Sequence, residues 1–133
     1  MLQAKADGGT ATPDELAMLG RLPYIYAQNI AHCAKLVEGG VQLMAGSDCG
    51  WGVYPFGRFD LELQAMVEGG LTDARALTAA TGGNARALRI DDRTGTVAPG
   101  RDADLVLVEG APDMDVADTA NVVAVWKSGR RIV

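Results

Sequence analysis

An aspartate behind a small-residue turn, Gly46-Ser47-Asp48, is the place in this chain where residue type and position point to chemistry. Before it, Val41-Gln42-Leu43-Met44-Ala45-Gly46 is short and mostly apolar. That run reads as a strand of a parallel sheet, where both faces are covered. After it, residues 46–58 (GSDCGWGVYPFGR) are rich in glycine and aromatics and are expected to be irregular. A carboxylate just past the C-terminal end of a buried strand lies where α/β folds bind ligands. There it can hold a metal or move a proton. The same position suits an aspartate that only closes a turn, so placement alone leaves both roles open.

Few other residues compete for a chemical role. The single histidine, His32, falls inside a helical stretch and reads as an ordinary helix residue. Cys33 and Cys49 are too few for a disulfide framework and lack a CxxC spacing, so they read as two reduced thiols. The formal charge of -5 and the scattering of the twelve basic residues argue against nucleic acid or an anionic membrane as partner. No stretch approaches the ~20 apolar residues of a membrane span, and residues 1–12 lack the pattern of a signal peptide. A cytoplasmic location is the default expectation.

The elements that must position Asp48 are legible in outline. Residues 1–12 read as a loop. Thr12-Pro13-Asp14-Glu15 is a helix start with a capping box. That helix is expected to stop near Gly20, because Pro23 disfavours a helical residue before it. A second helix is expected from Pro23 to Glu38, ended by Gly39-Gly40. Helices follow over Phe59–Gly69, from the Thr72 cap to about Thr81, and from Asn84 to Ile90, with Gly82-Gly83 as a break. From residue 91 the pattern turns to strands: Leu105–Val108, Asn121–Trp126, and a hairpin through Lys127-Ser128-Gly129-Arg130. Asp102 and Asp104 flank a turn and are expected to bond backbone N–H groups. Arg75 and Arg86 are expected on helix surfaces.

Three segments carry a resemblance. They are Gly46-Ser47-Asp48, then Ala79-Ala80-Thr81 with Asn84-Ala85, then Pro99-Gly100-Arg101-Asp102-Ala103-Asp104-Leu105. In that order and spacing, over roughly residues 24–133, the chain resembles the end of an amidohydrolase-superfamily enzyme. The branch it is most similar to includes imidazolonepropionase and prolidase-like metal-dependent hydrolases. The resemblance implies an α/β fold, the C-terminal portion of a (β/α)8 TIM barrel with part of a small β-sandwich. Helix 7, strand 8 (Val41–Gly46) and helix 8 would occupy residues 13–90, and residues 91–133 would be the sandwich strands. It implies that Asp48 binds a divalent metal, zinc by expectation, and takes the proton of the attacking water. Trp51, Tyr54 and Phe56 would lie over the pocket, either touching substrate or packing the loop.

The rest of such a metal site is not found in the sequence. The family takes a His-x-His pair after strand 1, a lysine or glutamate after strand 4, and histidines after strands 5 and 6. Three protein ligands are typical of a catalytic zinc. The chain as given is therefore expected to bind no metal and to be inactive alone, with Met1 an internal or miscalled start. Three functions stay open. The first is the C-terminal part of a hydrolase of C–N bonds acting on a small amide. The second is a non-catalytic or degenerate piece that completes another chain's barrel, as a homo-oligomer or with a missing N-terminal portion. The third is a small α/β module that grips a ligand with its loop 46–58.

Overall fold

The computed structural model describes residues 2–49 and 55–133. The chain opens with helix α1 (Leu2–Asp7), where composition suggested a loop. α1 is tied to the next element by an ion pair between Lys5 Nζ and Glu15 Oε1 at 2.6 Å. Helix α2 (Pro13–Glu38) begins on the expected box: the Thr12 hydroxyl accepts from the Glu15 N–H, and the Glu15 carboxylate accepts from the Thr12 N–H at 2.8 Å.

The expected break at Gly20–Pro23 does not occur, and α2 runs through Pro23 as one helix of 26 residues. Proline removes one helical hydrogen bond and crowds the preceding turn. Against that local cost stands a periodicity that does not change phase. Half-buried Met18, Leu19, Leu22, Ile30, Cys33, Ala34 and Val37 fall on one side on both flanks of the proline. A break would put the two halves of that stripe on different bearings. Gly39 and Gly40 then end α2, with Gly40 at φ 73° and the Val41 N–H bonding back to the Leu36 carbonyl.

Residues 41–46 leave this cap without regular secondary structure, which corrects the expected strand. Among the described residues no neighbouring strand offers them a ladder. Helix α3 (Asp60–Glu68) buries Asp60, Leu63 and Met66. Thr72 then caps helix α4 (Asp73–Thr78), its hydroxyl accepting from the Arg75 N–H. The expected break at Gly82-Gly83 is instead a π turn over Ala79–Gly83, which passes directly into helix α5 (Asn84–Ala87).

Three antiparallel strands complete the chain in the order β1 (Leu105–Val108), β2 (Val122–Lys127), β3 (Arg130–Arg131). Leu105 faces Trp126, and a register shift falls between Leu107 and Val108. Ser128 and Gly129 carry φ of 50° and 77°. Two positive φ values suit a tight turn that matches strand twist. Asp104 accepts from the Ser128 N–H at 2.8 Å and pairs with Lys127, so its backbone partner comes from the hairpin rather than its own turn. Asp102 pairs with Arg93 at 2.9 Å.

The core is small. Ala45, Leu63, Met66, Leu71, Ala76 and Val116 form it, with Val37, Leu43 and Leu77 packed alongside. Val116 reaches it from a 3-10 turn (Val116–Ala120) between β1 and β2, and its N–H donates to Asp73 Oδ1 at 2.8 Å. No residue of α2 is fully buried. Leu16, Tyr24, Ile25, Tyr26 and Leu36 of α2 stay exposed, as do Val41 and Met44.

Candidate active site

Asp48 lies two residues beyond a backbone that other elements hold. At Ala45, the Asn84 side chain from α5 accepts from the N–H at 3.0 Å and donates to the carbonyl at 2.8 Å. At Gly46, the Glu62 carboxylate from α3 accepts from the N–H at 3.3 Å. Ala45 is itself buried in the core. Ser47 is half-buried, and the chain reaches the surface at Asp48. Asp48 is exposed and adopts φ 45°, a left-handed conformation that aspartate tolerates better than most residues. The carboxylate is therefore presented to solvent from a fixed base.

The other expected site residues fare differently. Trp51 and Tyr54 lie outside the described residues. Phe56 is 78% exposed. His32 is an exposed residue of α2, in keeping with a helical role. Among the described residues no group of three or more His, Cys, Asp or Glu side chains is arranged to hold a metal ion. Cys33 and Cys49 are unpaired thiols. Burial, then the negative charge of Glu62, pushes the Cys33 thiol up from its ordinary value. Arg75 and Arg86 are exposed on helix surfaces, beside an open cleft that Gln42, Leu43 and Leu71 also line.

Two arrangements near the site were not anticipated from the sequence. The first is the Asn84 contact, although Asn84 lies in one of the three quoted segments. The second closes the loop 46–58. Arg58 donates to both oxygens of Asp60, at 2.9 and 2.8 Å, and Gln64 adds a bond at 3.3 Å. Asp60 is 5% exposed. The Arg58 bonds hold its carboxyl below the usual carboxylate range, against an opposing push from burial. An Arg-x-Asp spacing at a helix start is a weak signal, because most such pairs are solvated.

The sequence profile of the amidohydrolase family matches residues 4–132. The chain belongs to the amidohydrolase family. The chain is 36% identical to an imidazolonepropionase of Anaeromyxobacter sp. (strain K), over 97% of its own length and 32% of the relative's. It is 31% identical to an imidazolonepropionase of Micrococcus luteus, over 78% of its length and 27% of the relative's. The crystal structure of a Xaa-Pro dipeptidase with bound methionine in the active site superposes with a TM-score of 0.73 at 35% identity, covering 77% of this chain and 25% of that one. The amidohydrolase chain thus spans about a quarter to a third of the length of these relatives. Among its described residues no helix is long and apolar enough to cross a membrane.

Proposed function

We propose that this chain is the C-terminal share of a hydrolase that cleaves C–N bonds in a cyclic or linear amide. Asp48 carries the reaction's proton. The observation that supports this best is the geometry of residues 45–48, a held backbone ending in an exposed carboxylate ahead of a Gly-aromatic loop. The names of the relatives point the same way: imidazolonepropionases and a Xaa-Pro dipeptidase. In this reading α2, residues 41–46 and α3 are helix 7, strand 8 and helix 8 of a (β/α)8 barrel. β1–β3 belong to a small sandwich, and residues 91–133 are its C-terminal part.

Asp48 takes a proton from the attacking water as its oxygen bonds to the amide carbon. It returns that proton to the nitrogen as the C–N bond breaks. General acid–base transfer of this kind contributes ~10²–10⁴-fold. A divalent metal, zinc by family resemblance, would supply hydroxide at neutral pH when bound. The described donors do not by themselves make the three-ligand set such a zinc needs, and Asp48 would be one ligand among others outside them. Phe56, with Trp51 and Tyr54, is proposed to face the substrate.

The test is Asp48→Asn in the complete reading frame, assayed on imidazolonepropionate and on a Xaa-Pro dipeptide. Turnover should fall by orders of magnitude with the fold unchanged. Near-normal turnover would remove Asp48 from the mechanism.

A second reading has its own support. The small core and the exposed apolar side chains of α2 and of residues 41–44 fit a piece that completes another chain's barrel without catalysing. In that case the 133-residue chain should bind less than one zinc and hydrolyse neither probe.

A further inference from the structure

We infer that Asn84 is a positioning residue for Asp48, acting through the backbone of Ala45. The inference rests on the proposed role of Asp48 and adds a residue to it. A residue inside a sheet has its N–H and carbonyl satisfied by strand neighbours. Ala45 has both satisfied by one side chain, at 3.0 and 2.8 Å, from a residue 39 positions later. A carboxamide offers a donor and an acceptor in one plane at this reach, which an ionised carboxylate does not. Asn84 therefore does the work of a strand partner at a single point. That point is three residues from Asp48, a span of ~10 Å when extended.

The surroundings of Asn84 are built to hold it there. The π turn Ala79–Gly83 inserts an extra residue just before it, and such insertions occur often at functional sites. Gly82 and Gly83 within that turn are buried. A Cβ on Gly83 would come to 3.0 Å from the Thr78 carbonyl and 3.9 Å from Gln42 Nε2, so the turn has little room on its own side and meets the Gln42 side chain on the other. Behind it, Gly95 at φ 88° leaves no room for a side chain, since a Cβ there would meet the Ala85 methyl at 2.4 Å. The loop from residue 91 thus braces α5 from one side while Asn84 grips Ala45 on the other. Glu62 adds a longer bond at Gly46. Asp48 itself is exposed.

The experiment compares Asn84→Asp and Asn84→Leu with the parent chain by amide hydrogen exchange and by the HN–Hα coupling of Asp48, which reports its φ. Asn84→Asp keeps size and acceptor but cannot donate to the Ala45 carbonyl. Asn84→Leu, which loses both bonds, should speed exchange at Ala45 on the order of tenfold, and Asn84→Asp, which keeps the acceptor for the Ala45 N–H, should speed it less. Both should also move the Asp48 coupling, while amides of β1 and β2 stay unchanged. An Asp48 coupling identical to the parent's, with Ala45 freed, would show a local brace only and overturn the inference. So would a uniform rise across all amides. In the complete protein, Asn84→Asp should lower kcat on the same two probes with KM little changed. Gly69→Ala, a variant with a comparable stability loss, should leave kcat alone. If Asp48→Asn abolishes turnover and Asn84→Asp does not alter kcat, the positioning role fails and the proposed function stands. If Asp48→Asn has no effect, the proposed function fails, and the exchange and coupling data still decide whether Asn84 sets the backbone.

Discussion

Two apolar runs of similar character, Val41–Gly46 and Leu105–Val108, end in opposite situations. Leu105–Val108 finds β2 through a short excursion and closes a ladder from Leu105–Trp126 to Val108–Val122. Residues 41–46 find no ladder and rely on side chains from α3 and α5. A run of apolar residues therefore does not tell what satisfies its backbone. Asp48, the residue proposed to carry the chemistry, follows the run that is held by side chains. Its position is set by a few separable groups instead of a continuous sheet.

That contrast can be broken or sharpened by substitution. The largest effect belongs to Asp48→Asn in the complete reading frame, where the proposed proton-transfer role gives a loss of ~10²–10⁴-fold in turnover with an unchanged melting curve. Next is Leu63→Ala. Leu63 sits in the core that fixes Ala45, and the change should cost about 2–5 kcal/mol by denaturant titration. Exchange protection should fall over residues 41–46 before it falls in β1–β2.

Gly69→Ala should cost about 1–3 kcal/mol, because the new methyl would lie 2.4 Å from Cys33 Sγ and crowd α2 off α3. Cys33→Ala in the same chain should recover part of that loss. Full additivity of the two changes would mean the crowding is not felt.

Acid should act on the Arg58–Asp60 pair. Arg58 depresses the Asp60 carboxyl, so the bound form is the ionised one. Its contribution to stability is present above the unfolded value of about 3.9. It is lost as pH falls through the lower folded value. Asp60→Asn should flatten the stability curve in that window, and an unchanged acid limb would show that Asp60 is not a contributor.

The smallest effect is expected in the hairpin. Lys127→Met removes an exposed ion pair with Asp104 and should change stability by about 0–1 kcal/mol. The Ser128 N–H to Asp104 bond would remain to hold the turn.

Local signals in the sequence were read well where the physics is local. The Thr12 box, the Thr72 cap, the Gly40 stop and the Ser128-Gly129 turn each depend on residues within a few positions. Pro23 misled because a local cost was weighed without the phase of the stripe on either side. The π turn was invisible because glycines at 82 and 83 break a helix as readily as they widen one. At the candidate site, Asp48 was singled out by its place after an apolar run, and its role stands as a proposal. Asn84 was visible as a residue but not as a contact. Its partner is 39 positions away, and no pattern in one chain encodes which backbone an amide will meet. Residues 41–46 were legible as an apolar run, while the missing ladder depended on neighbours that the run itself does not specify.

Val116 links the two parts of the chain in a way that bears on how they come apart. Its side chain sits in the core with Leu63 and Met66, and its N–H is bound to Asp73, 43 residues earlier. Between them runs the stretch from Leu88 to Gly100, exposed except at Thr94 and Gly95. A protease that cuts this stretch severs the chain without touching either contact. The two pieces would then stay joined as a non-covalent pair, and mixing them after separation would restore the shape. Folding of the whole becomes recognition between two halves, with Val116 as the plug.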